Sequence, residues 1–111
     1  MENDLFERIC KFLVSKYFNE HKEKTDSYVM TPDDTYVVWS CKTLQNNKAM
    51  VSTTVSDGMY YEVTHNGDKH QVYVDAYKKW ENQSHEVNNI LKEMNEQNKD
   101  HEEVSKVNED N

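Results

Sequence analysis

Four runs rich in Val, Thr and Tyr follow one another along the middle of the chain: Thr35–Thr43, Lys48–Val55, Met59–His65 and Lys69–Val74. Such residues suit a pleated, half-buried surface, and the Asn, Asp and Gly residues between the runs suit tight turns. Register is the strongest constraint on these runs, because a one-residue slip between paired strands exchanges their two faces. The correct loops should therefore set apolar residues against apolar residues.

Asn66-Gly67 reads as a two-residue type I′ loop. It would set Val63 against His70, Tyr61 against Val72 and Met59 against Val74. Ser56-Asp57-Gly58 reads as a three-residue loop with Gly58 left-handed, setting Val51 against Val63. Gln45-Asn46-Asn47 reads as a third loop, with Asn47 in the left-handed position. It would set Cys41 against Val51, Trp39 against Thr53 and Val37 against Val55. All three loops agree on one inner face, made of Val37, Trp39, Cys41, Ala49, Val51, Val55, Met59, Tyr61, Val63, Val72 and Val74. The opposite face would carry Tyr36, Val38, Met50, Tyr60, Glu62 and Tyr73, with Tyr60 and Tyr73 as cross-strand neighbours.

Helical patterns flank the strands. Leu5, Phe6, Ile9, Phe12, Leu13 and Tyr17 recur at helical spacing, after Asp4 and Glu7 at capping-box spacing. This helix should fade near His21 to Lys24. Tyr28, Val29 and Met30 are expected to dock locally or to add a short strand. A last helix is expected from an N-cap at Asp75, through Ala76, Tyr77, Trp80, Val87, Ile90, Leu91 and Met94, with its first turns on the sheet. Trp80, Val87, Met94 and His101 share a heptad phase, but Gln83 and Gln97 interrupt the companion positions and argue against a coiled coil. The expected architecture is α+β: a four-stranded antiparallel meander flanked by an N-terminal and a C-terminal helix, in the order α-β-β-β-β-α. Residues 1–94 form the expected domain, and 95–111 an acidic, frayed or disordered tail.

The tail's acidity follows from where the charge lies. Residues 1–80 hold 12 acidic and 10 basic side chains, whereas residues 81–111 hold 9 and 3. Glu86, Glu93, Glu96, Asp100, Glu102 and Glu103 make a candidate acidic surface. Arg8 is the sole arginine. Direct nucleic-acid binding, which draws on clustered Lys and Arg, is not expected. No apolar run approaches the roughly 20 residues that span a bilayer, and the start at Met1-Glu2-Asn3-Asp4 lacks the basic residues of a secretory signal. A cytoplasmic protein is expected, with Cys10 and Cys41 as reduced, buried thiols.

The pieces Tyr36-Val37-Val38-Trp39, Cys41-Lys42-Thr43-Leu44-Gln45-Asn46, Val55-Ser56-Asp57-Gly58-Met59-Tyr60-Tyr61-Glu62-Val63, Asn66-Gly67-Asp68-Lys69 and Val74-Asp75-Ala76-Tyr77-Lys78-Lys79-Trp80-Glu81 carry a family likeness. Over residues 1 to about 81, the chain resembles a family of small uncharacterised proteins from phages and prophages of Gram-positive bacteria. The resemblance implies a phage origin and carries no activity or site residues. The acidic extension and Asn47 depart from the usual pattern of that family.

Chemistry-bearing motifs are sparse. His65, His70 and Asp68 meet at one turn, but an exposed hairpin tip without a fourth ligand makes a poor metal site. Glu62 would need a walled pocket to act as an acid or base, so a weak hydrolase built on Glu62 and a histidine ranks last. With Gly58 and Gly67 the only glycines, no Gly-rich phosphate loop exists. The expectation is no enzyme, no cofactor and no metal. The leading reading is a phage accessory protein that binds a host or phage protein, in host take-over or anti-defence, through the outer face and the acidic segment. The alternative is a small-ligand or nucleotide-sequestering protein that stacks a base on Tyr36, Tyr60 or Tyr73. A homodimer is left open.

Overall fold

The computed structural model describes residues 1–109 in backbone and residues 1–99 in side chains. The element order is helix α1 (Asn3–His21), a 3-10 turn (Pro32–Asp34), strands β1 (Thr35–Thr43), β2 (Asn46–Thr53), β3 (Met59–Asn66) and β4 (Gln71–Lys78), then helix α2 (Val87–Glu109). The four strands form one antiparallel sheet in the order β1-β2-β3-β4. The fold is the expected α+β meander, with one helix preceding it and one following it along the chain. The chain divides into two compact units, Met1–Trp80 and Glu81–Asn111.

In the first unit, Phe6, Cys10 and Val14 of α1 lie four residues apart, so they share one helix face. They bury against Ala49 and Val51 of β2 and Tyr61 and Val63 of β3. Removing that apolar surface from water is the main force holding α1 on the sheet. Leu5 and Phe12, expected in the stripe, remain exposed on the flanks of the helix. The expected cap also differs. Glu2 is the N-cap and makes no side-chain cap bond, while Asp4 sits in the first turn. Met30 docks and does not form a strand. It is buried, and the Asn19 amide brackets its backbone, donating to Met30 O at 2.9 Å and accepting from Met30 N at 2.8 Å.

All three loops depart from the expected register. After β3, Asn66 Oδ1 accepts from the backbone N–H groups of Asp68 (3.1 Å) and Lys69 (3.2 Å). This asparagine turn widens the loop to Gly67–His70, and His70 takes the left-handed conformation at φ 54°. Val63 then lies opposite Val74, Tyr61 opposite Ala76 and Met59 opposite Lys78. Strand β4 accordingly takes over Asp75–Lys78, which the helical pattern had claimed, and α2 begins only at Val87. In the β2–β3 hairpin, Val51 lies opposite Tyr61 and Ala49 opposite Val63. Gly58 is left-handed there as expected, at φ 75°.

The first hairpin differs in kind. Its loop is Leu44-Gln45, with Leu44 and not Asn47 left-handed, at φ 55°. Cys41 now lies opposite Lys48 and Trp39 opposite Met50. This shift of three residues is odd, so Trp39 and Cys41 turn to the outer face. A β-bulge at Val38 absorbs the difference, and Val37 and Thr35 return to the inner face opposite Val51 and Thr53. Cys41 is therefore exposed, contrary to the buried thiol expected; Cys10 is buried.

The second unit contains α2, which runs through the stretch expected as frayed helix or tail. Glu86 caps its start, accepting from the N–H groups of Asn88 (3.1 Å) and Asn89 (3.0 Å). Val87, Ile90, Leu91 and Met94 recur along α2 and are all exposed. Residues 110–111 lie outside the described residues. Among the described residues, no helix is long and apolar enough to cross a membrane.

Candidate interaction face

The outer sheet face is built by strand alternation. One row runs across all four strands through Trp39, Met50, Glu62 and Asp75. The next holds Cys41, Lys48, Thr64 and Tyr73. On the other side, Tyr36 lies beside Ser52, and Tyr60 beside Tyr77. Every outer-face residue named from the sequence is found here: Tyr36, Val38, Met50, Tyr60, Glu62 and Tyr73. The even register changes in the last two hairpins left their sides unaltered. The cross-strand partner of Tyr60 is Tyr77, not Tyr73, which lies opposite Thr64. Tyr60 and Tyr77 stack with ring centroids 5.2 Å apart and planes at 16°.

Trp39 and Tyr77 were missing from the sequence-based face. The three-residue loop predicts the first to point inward, and the helical pattern predicts a helix at the second. With them, Tyr36, Val38, Trp39, Tyr73 and Tyr77 are each 40–51% exposed on one side of the sheet. The polar centre of the face is the ion pair Lys48–Glu62. That pair engages Glu62 with a lysine in place of a walled pocket. Tyr73 Oη donates to Gln71 Oε1 at 2.8 Å.

The two histidines differ in burial. His65 is buried on the inner face, whereas His70 is exposed in the loop. The side-chain amide of Asn47 donates to Met1 O at 3.2 Å, so its Oδ1 is turned toward His65 Nδ1, 3.0 Å away. An acceptor in that position fixes the tautomer with the proton on Nδ1. Burial holds the His65 pKa below its ordinary 6.5, helped by the positive charges of the Met1 amino group and His70. A concavity of about 390 Å³ opens there, lined by Met1, Leu5, Gln45, His65, Gly67 and His70. No carboxylate, thiol or hydroxyl lines it. Burial, with Glu7 second, pushes the Cys10 thiol up to about 12, so its thiolate is scarce at neutral pH. Among the described residues, no group of three His, Cys, Asp or Glu could hold a metal.

Of the acidic candidates, Glu86 is committed to capping α2, and Glu93 and Glu96 are exposed three residues apart on that helix. Asp100, Glu102 and Glu103 lie outside the described side chains.

These features define a class: a small α+β domain with its core on one side of a meander and a partly exposed aromatic surface on the other. Within that class, residues 7–87 match a family of unknown function, DUF6275, and the chain belongs to that family. Comparison with curated proteins and with solved structures finds no match.

Proposed function

We propose that the protein is a non-enzymatic interaction module whose outer sheet face binds another protein. The supporting observation is that Tyr36, Val38 and Trp39 on β1 and Tyr73 and Tyr77 on β4 are all exposed on the face opposite the core, on either side of Met50 and the Lys48–Glu62 pair. Tyr and Trp supply large contact area at low entropic cost, and aromatic residues and Met are enriched at protein interfaces. Their mounting on a hydrogen-bonded sheet keeps them ordered before a partner arrives. The acidic segment after Trp80 adds long-range attraction toward a basic partner. We place the protein in the cytoplasm of a bacterial host, as a phage accessory protein acting on a host or phage protein. Interference with a host process, including antiviral defence, fits that setting by analogy.

The test compares the wild-type chain with a Tyr36→Ser/Trp39→Ser double variant in affinity capture from phage-infected host lysate. The expected result is a specific partner, held by the wild type and lost with the double variant at unchanged thermal stability. A partner held equally by both proteins overturns the reading. The nucleotide-sequestering alternative is weakened by the Tyr60–Tyr77 stack, which occupies a ring face that a base would need. A thermal shift with nucleotides at millimolar concentration would restore it.

A further inference from the structure

The two edges of the sheet are built differently. β1 carries a bulge at Val38, a device that spoils regular pairing with another strand. β4 carries no such device: it has no bulge, no proline and, from Gln71 to Tyr77, no lysine. Its backbone polarity follows from the chain direction. Lys79 N–H donates to Gly58 O at 2.7 Å, so the odd-numbered residues of β4 turn their backbone groups toward β3. Val72, Val74 and Ala76 therefore turn their N–H and C=O groups out from the edge. Among the described residues, no backbone hydrogen bond from outside the sheet reaches them.

We infer that this edge receives a second copy of the same chain, with the two β4 strands antiparallel about a two-fold axis through Val74. The register is selected by self-complementarity. Centring on Val74 sets Val74 against Val74 of the second copy and Val72 against Ala76, and each pair exchanges two backbone hydrogen bonds. It sets Tyr73 against Asp75 and Gln71 against Tyr77, so no like charges meet. Centring on Asp75 would place two carboxylates directly opposite each other. Centring on Tyr73 would oppose Ala76 to His70, whose left-handed backbone has left the strand. Centring on Ala76 would oppose Val72 to Trp80, beyond the end of β4 at Lys78. Only the Val74 register uses Gln71–Tyr77 in full without a charge clash. It joins two sheets into one and merges the two outer faces, with Tyr73 of both copies beside the axis. The pairing stands whether or not that face binds a further protein.

Sedimentation equilibrium of the full chain, at concentrations on the order of 100 μM, should give twice the 13.2 kDa chain mass. Ala76→Pro removes an outward N–H from an exposed residue that lends it to no neighbour within the sheet. The dimer should weaken at least about tenfold, while far-ultraviolet dichroism and the melting curve stay near wild type. Cross-linking tests the register separately. Opposed residues of a hydrogen-bonded pair have Cα atoms about 5.5 Å apart, within disulfide reach. In a Cys41→Ser background, Val74→Cys should give a disulfide-linked dimer on oxidation, and Tyr73→Cys should not. A monomer at every concentration, or a dimer unmoved by Ala76→Pro, overturns the inference. So does failure of Val74→Cys to cross-link in preference to Tyr73→Cys. Those outcomes would assign the edge to a foreign strand or self-association to the exposed stripe of α2.

Discussion

Gly67 is required by its neighbour and not by its own backbone angle. A Cβ at this position would lie 2.2 Å from Gln45 O, a backbone atom that cannot swing aside. The approach is close because the two hairpin tips clasp each other. Gly67 N–H donates to Asn46 Oδ1 at 3.0 Å, and the Gln45 amide donates to Asp68 at 2.9 Å. Gly58 is the opposite case: it is left-handed at φ 75°, with open space where a Cβ would stand. Gly67→Ala should therefore cost about 2–3 kcal/mol by parting the tips, and Gly58→Ala about 1 kcal/mol of backbone strain. Urea denaturation of both variants checks the order, and equal costs would refute the steric account. His65 gives a prediction of a different kind. Its folded pKa is depressed below 6.5, chiefly by burial, so the unfolded chain takes up the proton more readily. The contribution of His65 to stability is thus complete above pH 6.5 and is lost as pH falls from there through its folded value. In imidazole NMR spectra His65 should titrate below 6.5; a midpoint at or above that value would contradict its burial.

At the scale of elements, the parity of each hairpin decided how much could be read in advance. Two loops differ from the expected ones by even numbers of residues, so β2, β3 and Gln71–Val74 of β4 keep their side chains on the expected faces despite changed partners. The first loop differs by an odd number. Leu44 is an uncommon choice for a left-handed turn residue, and no turn signal in the sequence marks it. Trp39 and Cys41 consequently changed sides, and only the bulge at Val38 kept Val37 inward. The β4–α2 boundary was hidden for another reason. Asp75-Ala76-Tyr77-Lys78 satisfies both a strand and a helix pattern, and the outcome is set by the need of β3 for a partner along its whole length. The central position of β3 yields the element-scale prediction. Val63 is fully buried, with α1 over it and strands on both sides. Val63→Asp would bury an unpaired carboxylate at a cost of at least about 4 kcal/mol. Circular dichroism should find the domain unfolded at room temperature, and a cooperative melt near wild type would rule out this placement of β3.

At the scale of the whole molecule, the core draws all its members from the first unit. Phe6, Cys10, Val14, Ala49, Val51, Tyr61 and Val63, with their half-buried neighbours, all precede Asp75. The second unit holds a different inventory: an acidic helix with an exposed Val87-Ile90-Leu91-Met94 stripe. Residues after Trp80 carry a charge of −6, against −2 for residues 1–80. Charge so concentrated works against compaction and favours attraction to basic partners. A chain ending at Trp80 should therefore keep a cooperative thermal transition within about 5 °C of the full chain, since it retains every residue of the core. Its association with the partner should keep the aromatic contribution and lose most of its salt dependence, because screening acts on exposed charge. Differential scanning calorimetry and binding measured at two ionic strengths separate these effects. Loss of the transition would mean that the first unit relies on the second to fold. Unchanged salt dependence would instead reduce the acidic segment to a solubilising extension and leave recognition to the tyrosines and Trp39 of the sheet.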